Sequence, residues 1–340
     1  MTDYEIHDER FQKLIIGHAK LERLWTGSRW AEGPVYVPAA RHVLWSDIPN
    51  DRVLRYVEDD GSASVFQTPC GFQNGHALDG EGRVVACEHG GRRISRLDHD
   101  GVWRALATHF EGRRLNSPND VIVKSDGTIW FSDPTYGIDG YYEGALASSE
   151  IGAAFVYRLD PATGEATAVA RDRVRPNGLA FSPDETILYV ADTGETHVKD
   201  TLRAIHAYAV GADGKTLSHA KTVAVCDNGF FDGFRVDLHG NLWTSSADAV
   251  RAYAPDGNAD RPGPRSRARL QSLLWRPAQE PPLHHRAGVA LRHIPQHSRG
   301  AMDARVIAWL EARNAIGRRA RACARRARRA HGRFALRRTG

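Results

Sequence analysis

One pattern recurs five times before residue 257 and constrains what this chain can become. Each copy has a polar or glycine-containing tripeptide, an apolar run, a turn, a β-rich run ending in small or acidic residues, and a third short strand. The β-rich runs align as PAARHVLWSDI (38–48), DGEGRVVACEH (79–89), KSDGTIWFSDP (124–134), SPDETILYVADT (182–193) and LHGNLWTSSA (238–247). Val, Ile, Trp, Tyr and Phe crowd them, and Asp-Gly, His-Gly or Pro-Asp precede them, as hairpins require. Helical periodicity is absent before residue 300. A period of about 40–60 residues with four short strands per unit predicts an all-β fold, a β-propeller. Solenoid stacking is the alternative.

A propeller lines its central channel with the first strand of every blade. The residues heading those strands are Glu32 in AEGPVY, Asn74 in QNGHAL, Asn119 in SPNDVI, Asn177 in RPNGLAF and Asp232 in FDGFRV. They are expected to converge on the axis as a ring of oxygen donors, with Asn119–Asp120 as one spoke. Two carboxylates with two or three amide carbonyls suit a hard cation, Ca²⁺ or else Mg²⁺ or Mn²⁺. The thiolate and imidazole set that zinc favours is missing. Taken singly, Asn-Gly and Asp-Gly read as turns. Their common position in five repeats makes the case for a site.

Charge divides the chain. The net +5 combines residues 1–257, with 26 basic and 37 acidic side chains, and residues 258–340, with 20 Arg, no Lys and four acids. The basic average therefore says nothing about the repeats, and neither nucleic acid nor membrane is expected as a partner. No stretch of 18 or more apolar residues occurs. The charged opening MTDYEIHDERFQKL has no apolar signal core, which predicts a cytoplasmic protein. Cys70, Cys87, Cys226 and Cys323 lack CxxC spacing and read as free thiols.

The motifs EGPVY, NGHALDGEGRVVACEHGGRRISRLD, RLNSPNDVIVKSDGTIWFSDPTYGI, RPNGLAFSPDETILYVADT and DGFRVDLHGNLWTSSADAV occur in order over about residues 15–257. Together they resemble the senescence marker protein/gluconolactonase (regucalcin-like) family, and most of all its bacterial gluconolactonase-like branch. The resemblance implies a six-bladed propeller with a divalent metal on its axis and hydrolysis of a sugar lactone. Ca²⁺ is the expected ion, with Mg²⁺, Mn²⁺ or Zn²⁺ as alternatives. It implies that Glu32, Asn177 and Asp232 hold the metal and that Asn119 is shared between the metal's water and the substrate.

Asp232 is the expected proton acceptor, and Asn74 and His76 are expected to bind substrate beside Asn119. His89 is a second candidate at the channel mouth, while Glu88 and Asp133 are expected to make structural hydrogen bonds. Ser117 stands where several family members have an Arg, which puts sugar-hydroxyl recognition by that residue in question. The chemistry suits a cyclic ester, whose carbonyl gains negative charge as water adds. No GxSxG elbow is present, so a serine mechanism has no support. The alternatives are a non-catalytic metal- or sugar-binding propeller, an inactive truncated product, and an Arg-tail nucleic-acid binder.

The sixth blade is the difficulty. After residue 257 the composition turns to Arg, Ala, Pro and His, and strand periodicity is expected to stop. A one-base shift of the codons for WRPAQEPPLHHR (275–286) permits GGPRKNRLFIT, similar to the family's last-blade motif. The same shift of LRHIPQHSRG (291–300) permits YAIFLNTRG. These matches predict a frameshift near Gly257–Asn258. They divide the chain into a propeller of five recognisable blades (1–257) and an irregular or helical Arg-rich tail (258–340). A ring lacking its last blade is expected to leave two flanks open and the product poorly folded or inactive.

Overall fold

The computed structural model of the chain describes residues 4–6, 9–14, 24–247, 249–255 and 268–271. The described residues form five blade sheets and a two-stranded hairpin, His109–Phe110 with Arg113–Arg114, and within each blade the four strands lie side by side in chain order. Blade 1 comprises Ala31–Val37, His42–Asp47, Arg52–Val57 and Ala63–Gln67. Blade 2 comprises Gln73–Leu78, Val84–Glu88, Arg93–Leu97 and Trp103–Ala107. Val121–Val123, Ile129–Asp133, Phe155–Asp160 and Glu165–Ala170 make blade 3. Pro176–Phe181, Ile187–Asp192, Ala204–Ala209 and Lys221–Val225 make blade 4. Blade 5 runs Phe234–Val236, Leu242–Ser245, Ala249–Tyr253 and Ala268–Gln271, with Tyr4–Ile6 added on its outer edge.

Two expectations are corrected here. The described residues give five blades, not six. Strand structure also continues past residue 257, because Ala268–Gln271 pairs with both Ala249–Tyr253 and Tyr4–Ile6. Those partners satisfy backbone groups that the third strand of blade 5 would otherwise leave as an open edge. The rest of the Arg-rich tail, its expected helix and the inferred frameshift lie outside the described residues.

The cores sit between blades, and strand periodicity explains how. In Ile129–Asp133, Ile129 and Phe131 join a cluster with Val85, Ile94 and Tyr157, between blades 2 and 3. Trp130, pointing the other way, packs with Leu179, Leu188 and Tyr208 of blade 4. Leu188 and Val190 face blade 3, while Tyr189 and Ala191 face Phe234 and Tyr253 of blade 5. A strand buried on both faces needs an unbroken apolar run, and that is how these segments read. On blade 1, Val43, Trp45, Leu54 and Tyr56 are covered by Leu24 and Trp25. Cys70, Cys87 and Cys226 are free and buried.

At the hub the inner strands approach very closely. A Cβ on Gly33 would stand 1.8 Å from the Asn74 carbonyl oxygen, one on Gly75 2.6 Å from that of Asn119, and one on Gly178 2.2 Å from that of Asp232. Gly75 N–H donates to the Asn119 carbonyl at 2.8 Å. These glycines therefore serve inter-blade approach, and at Gly75 and Gly178 not the turn that Asn-Gly suggests. Gly233 of blade 5 meets no described atom within 4 Å. Among the described residues, no close packing of inner strands joins blade 5 to blade 1.

Gly178→Ala should therefore destabilise the protein by about 1–3 kcal/mol, as overpacking against backbone does. Gly80→Ala, whose added methyl meets nothing within 4 Å, should change stability by no more than about 0.5 kcal/mol. Urea denaturation followed by tryptophan fluorescence compares the two, and equal effects would refute the close-approach account.

Candidate active site at the propeller hub

Glu32, Asn74, Asn119, Asn177 and Asp232 come from five different blades and line one cavity of about 50 Å³. Ala31, Gly33, Pro34, Trp45, Gly75, Asp120, Gly233 and Arg235 complete its wall. Local backbone irregularity aims the spokes. Strand register shifts between Glu32 and Val35, between Gln73 and His76, and between Pro176 and Leu179. Each shift spans the hub residue of its blade or begins at it, and bulges of this kind turn a side chain out of the ladder.

The amide groups are held by their nitrogens. Asn74 Nδ2 lies 3.3 Å from Nε2 of His89, whose Nδ1 lies 3.1 Å from the Glu143 carbonyl oxygen. With the imidazole proton on Nδ1 and donated to that carbonyl, Nε2 accepts from Asn74. Asn177 Nδ2 donates to Thr193 Oγ1 at 3.4 Å, and Thr193 Oγ1 is itself 2.6 Å from the Tyr136 hydroxyl. Asn74 thus keeps its oxygen for the cavity, whereas the Asn177 amide also hydrogen-bonds the Asp232 carboxylate. The Asn119 side chain, 6% exposed, makes no hydrogen bond among the described residues. Its backbone is fixed through Ser132 O at 2.9 Å and Gly75 N at 2.8 Å.

Carboxylates crowd the same point. Glu32 Oε1 accepts from Trp30 Nε1 at 2.9 Å. Burial, then Asp232, Glu143 and Asp120, push the Glu32 carboxyl well above its ordinary range, against the Trp30 hydrogen bond. Asp232 is pushed up to about 6 by burial and by Asp120, with the Asn177 amide opposing. Glu143, on the loop between the second and third strands of blade 3, is pushed up to about 7 by burial, Asp232 and Asp139. Repulsion of this kind is what a bound cation relieves. Among the described residues, no three His, Cys, Asp or Glu side chains are grouped to hold a metal. The hub instead offers the Glu32 and Asp232 carboxylates together with the amides of Asn74, Asn119 and Asn177, a donor set that fits a hard, oxygen-preferring ion.

Other expected residues fall elsewhere. His76 is fully buried and does not line the cavity. Its Nδ1 is 2.6 Å from the Gly33 carbonyl oxygen and its Nε2 3.2 Å from Gln73 Oε1. Both ring nitrogens are engaged, so the substrate-binding role expected for His76 is replaced by one of tying blade 2 to blade 1. Burial lowers both His76 and His89 to about 4, so each is neutral near pH 7.

Asp133 Oδ2 accepts from Asn116 N at 2.9 Å and Glu88 accepts from Arg93 Nε at 2.7 Å, both bracing loops as expected. Ser117 is buried away from the cavity. Its Oγ donates to the Pro134 carbonyl at 2.7 Å and accepts from Gly137 N at 3.0 Å. Trp45, Arg235 and Glu143 were not anticipated. Arg235 lies in the quoted motif DGFRV, and Glu143 in a loop that carries no repeat signal.

A five-sheet propeller whose blades each send one oxygen-bearing side chain to a common hub defines the class. The family model for the SMP-30/Gluconolactonase/LRE-like region matches residues 30–264, and the chain belongs to that family. It is 30% identical over 269 residues to a gluconolactonase of Zymomonas mobilis, covering 73% of each chain. A solved gluconolactonase from Xanthomonas campestris superposes with a TM-score of 0.71 at 38% identity, covering 79% of this chain and 86% of that one. The calcium-binding protein regucalcin from Agrobacterium tumefaciens shares the fold, with a TM-score of 0.57 at 22% identity, covering 71% and 76%. No helix among the described residues is long and apolar enough to cross a membrane.

A carboxyl whose folded pKa is raised holds its proton longer in the native state. Its neutral form costs nothing at pH 4, and stability falls as pH rises through the folded value near 6. Metal-free Asp232→Asn should therefore be more stable than the parent at pH 8, by about 1–3 kcal/mol. The gap should close by pH 4. Melting curves in chelator at the two pH values check this, and an unchanged gap would refute it.

Proposed function

We propose that the hub hydrolyses a sugar lactone, an aldonolactone such as gluconolactone, to the open-chain acid, with the help of a divalent cation. The observation that carries this reading is the convergence of Glu32, Asn119, Asn177 and Asp232 on one cavity. The gluconolactonase relatives support the reaction class. In this reading Glu32, Asn177 and Asp232 hold the ion, Ca²⁺ in the first place, and Asn119 is shared between the ion's side of the cavity and the substrate. The cation would polarise the lactone carbonyl and lower the pKa of the attacking water.

The chain's own groups do the rest. Asn119, whose side chain has no other partner among the described residues, presents its amide to the substrate. Asn74, clamped by His89, orients the lactone from the facing wall. Asp232 takes a proton from water as its oxygen adds to the carbonyl carbon. The proton then passes to the ring oxygen as the carbon–oxygen bond breaks, leaving a hydroxy acid. Trp45 supplies an apolar wall beside these polar groups, as small-molecule sites commonly do. Placement in the cytoplasm is part of the proposal, consistent with buried free thiols.

With gluconolactone in a pH-stat, chelator should abolish hydrolysis and Ca²⁺ should restore it. Asp232→Asn and Glu32→Gln should each lower kcat/KM by about 10²–10³-fold, and Asn119→Ala by about 10–100-fold. Activity that survives chelator unchanged would remove the cation from the mechanism. Calcium binding without any hydrolysis would leave a binding propeller.

A further inference from the structure

Four of the five hub residues are followed by glycine: Gly33, Gly75, Gly178 and Gly233. In blade 3 the residue after Asn119 is Asp120. Where the other four blades carry no side chain at this position, Asp120 carries a carboxylate. It reaches the inner strand of blade 4, where Leu179 N donates to Asp120 Oδ2 at 3.1 Å. From blade 5, Arg235 Nη1 donates to the same oxygen at 3.2 Å and also to the Phe234 carbonyl at 2.8 Å. Both side chains are under one-tenth exposed, and both residues line the hub cavity. One carboxylate thus joins three blades, 115 residues apart at the extremes, and carries a cation of the protein's own.

The charges of the cavity wall can be read directly. Glu32, Asp120 and Asp232 supply three carboxylates, and Arg235 is the lining residue of opposite sign. When all are ionised the wall carries two negative charges, which one divalent ion neutralises. Asp120 shares this wall with Glu32 and Asp232, so its charge acts on the same small cavity. Arg235 donates to Asp120, and through that carboxylate it acts on the hub.

We infer that the Asp120–Arg235 pair is a charge regulator of the hub, setting its affinity for a single divalent cation. The inference rests on the metal reading above. The pair is a positioning device: removing either partner alone changes the field at the ion, in opposite directions. Without Arg235 the wall gains a negative charge. Without Asp120 the wall loses a negative charge. A pair that only clamped blades 3 and 5 together would weaken the site whichever partner was lost.

The test is isothermal titration of CaCl₂ into the metal-free full chain and its variants, independent of turnover. Arg235→Gln should bind Ca²⁺ about tenfold more tightly and Asp120→Asn about tenfold more weakly. The double variant should return to within about threefold of the parent. Weaker binding in both single variants, or no change in either, overturns the inference while leaving the metal reading intact. A parent that takes up no divalent cation overturns both. Should Arg235→Gln not fold, Arg235→Lys keeps the charge and should match the parent within about threefold, and a tenfold loss there would overturn the inference.

Discussion

At three junctions the inner strands of this propeller lie so close that the glycine there cannot carry a methyl group. Everything at the hub depends on that approach. Gly33, Gly75 and Gly178 each face the backbone of the neighbouring inner strand, and a Cβ would overlap it. Such proximity lets single side chains from separate blades reach one small cavity. Repulsion among their carboxylates follows from the same geometry, since Glu32 and Asp232 line one small cavity. The fold thus holds unfavourable charge in one place.

The amides show how the surroundings prepare the hub. His89 and Thr193 each engage an Asn nitrogen, His89 that of Asn74 and Thr193 that of Asn177. His89 is in turn fixed by the backbone of the loop carrying Glu143. That loop is seated on Ser117, whose hydroxyl bridges Pro134 and Gly137. A Cβ on Gly137 would stand 2.5 Å from His89 and 2.8 Å from Ser117. A long Arg at position 117 would have to displace this packing. The small residue and the loop above it form one arrangement, in which Glu143 is held near the mouth and senses Asp232.

Much of this was legible in the chain. Repeats were visible because a strand sandwiched between two blades needs apolar side chains on both faces, and the requirement recurs in every unit. The polar heads of the inner strands were visible because all five stand at the same point of the repeat. The reason for their glycines was not, because Asn-Gly reads locally as a turn and the approaching strand lies about 40–60 residues away. His76 and His89 looked equivalent in sequence, yet one ties two blades together and the other orients a hub amide. Asp120 stood in the quoted motif as half of a spoke, but its partner Arg235 could not be assigned from spacing.

The sequence by itself determined the all-β repeat, the family and the five spokes, since these depend on short-range periodicity and residue type. Only the tertiary structure decided which polar groups face one another. It brought Asp120 to Arg235, turned His76 away from the cavity and seated the Glu143 loop on Ser117. It also placed Ala268–Gln271 in blade 5, where the composition had suggested no strand. These outcomes turn on distances between blades, which are fixed by how the sheets pack around the axis and not by any one segment of the chain.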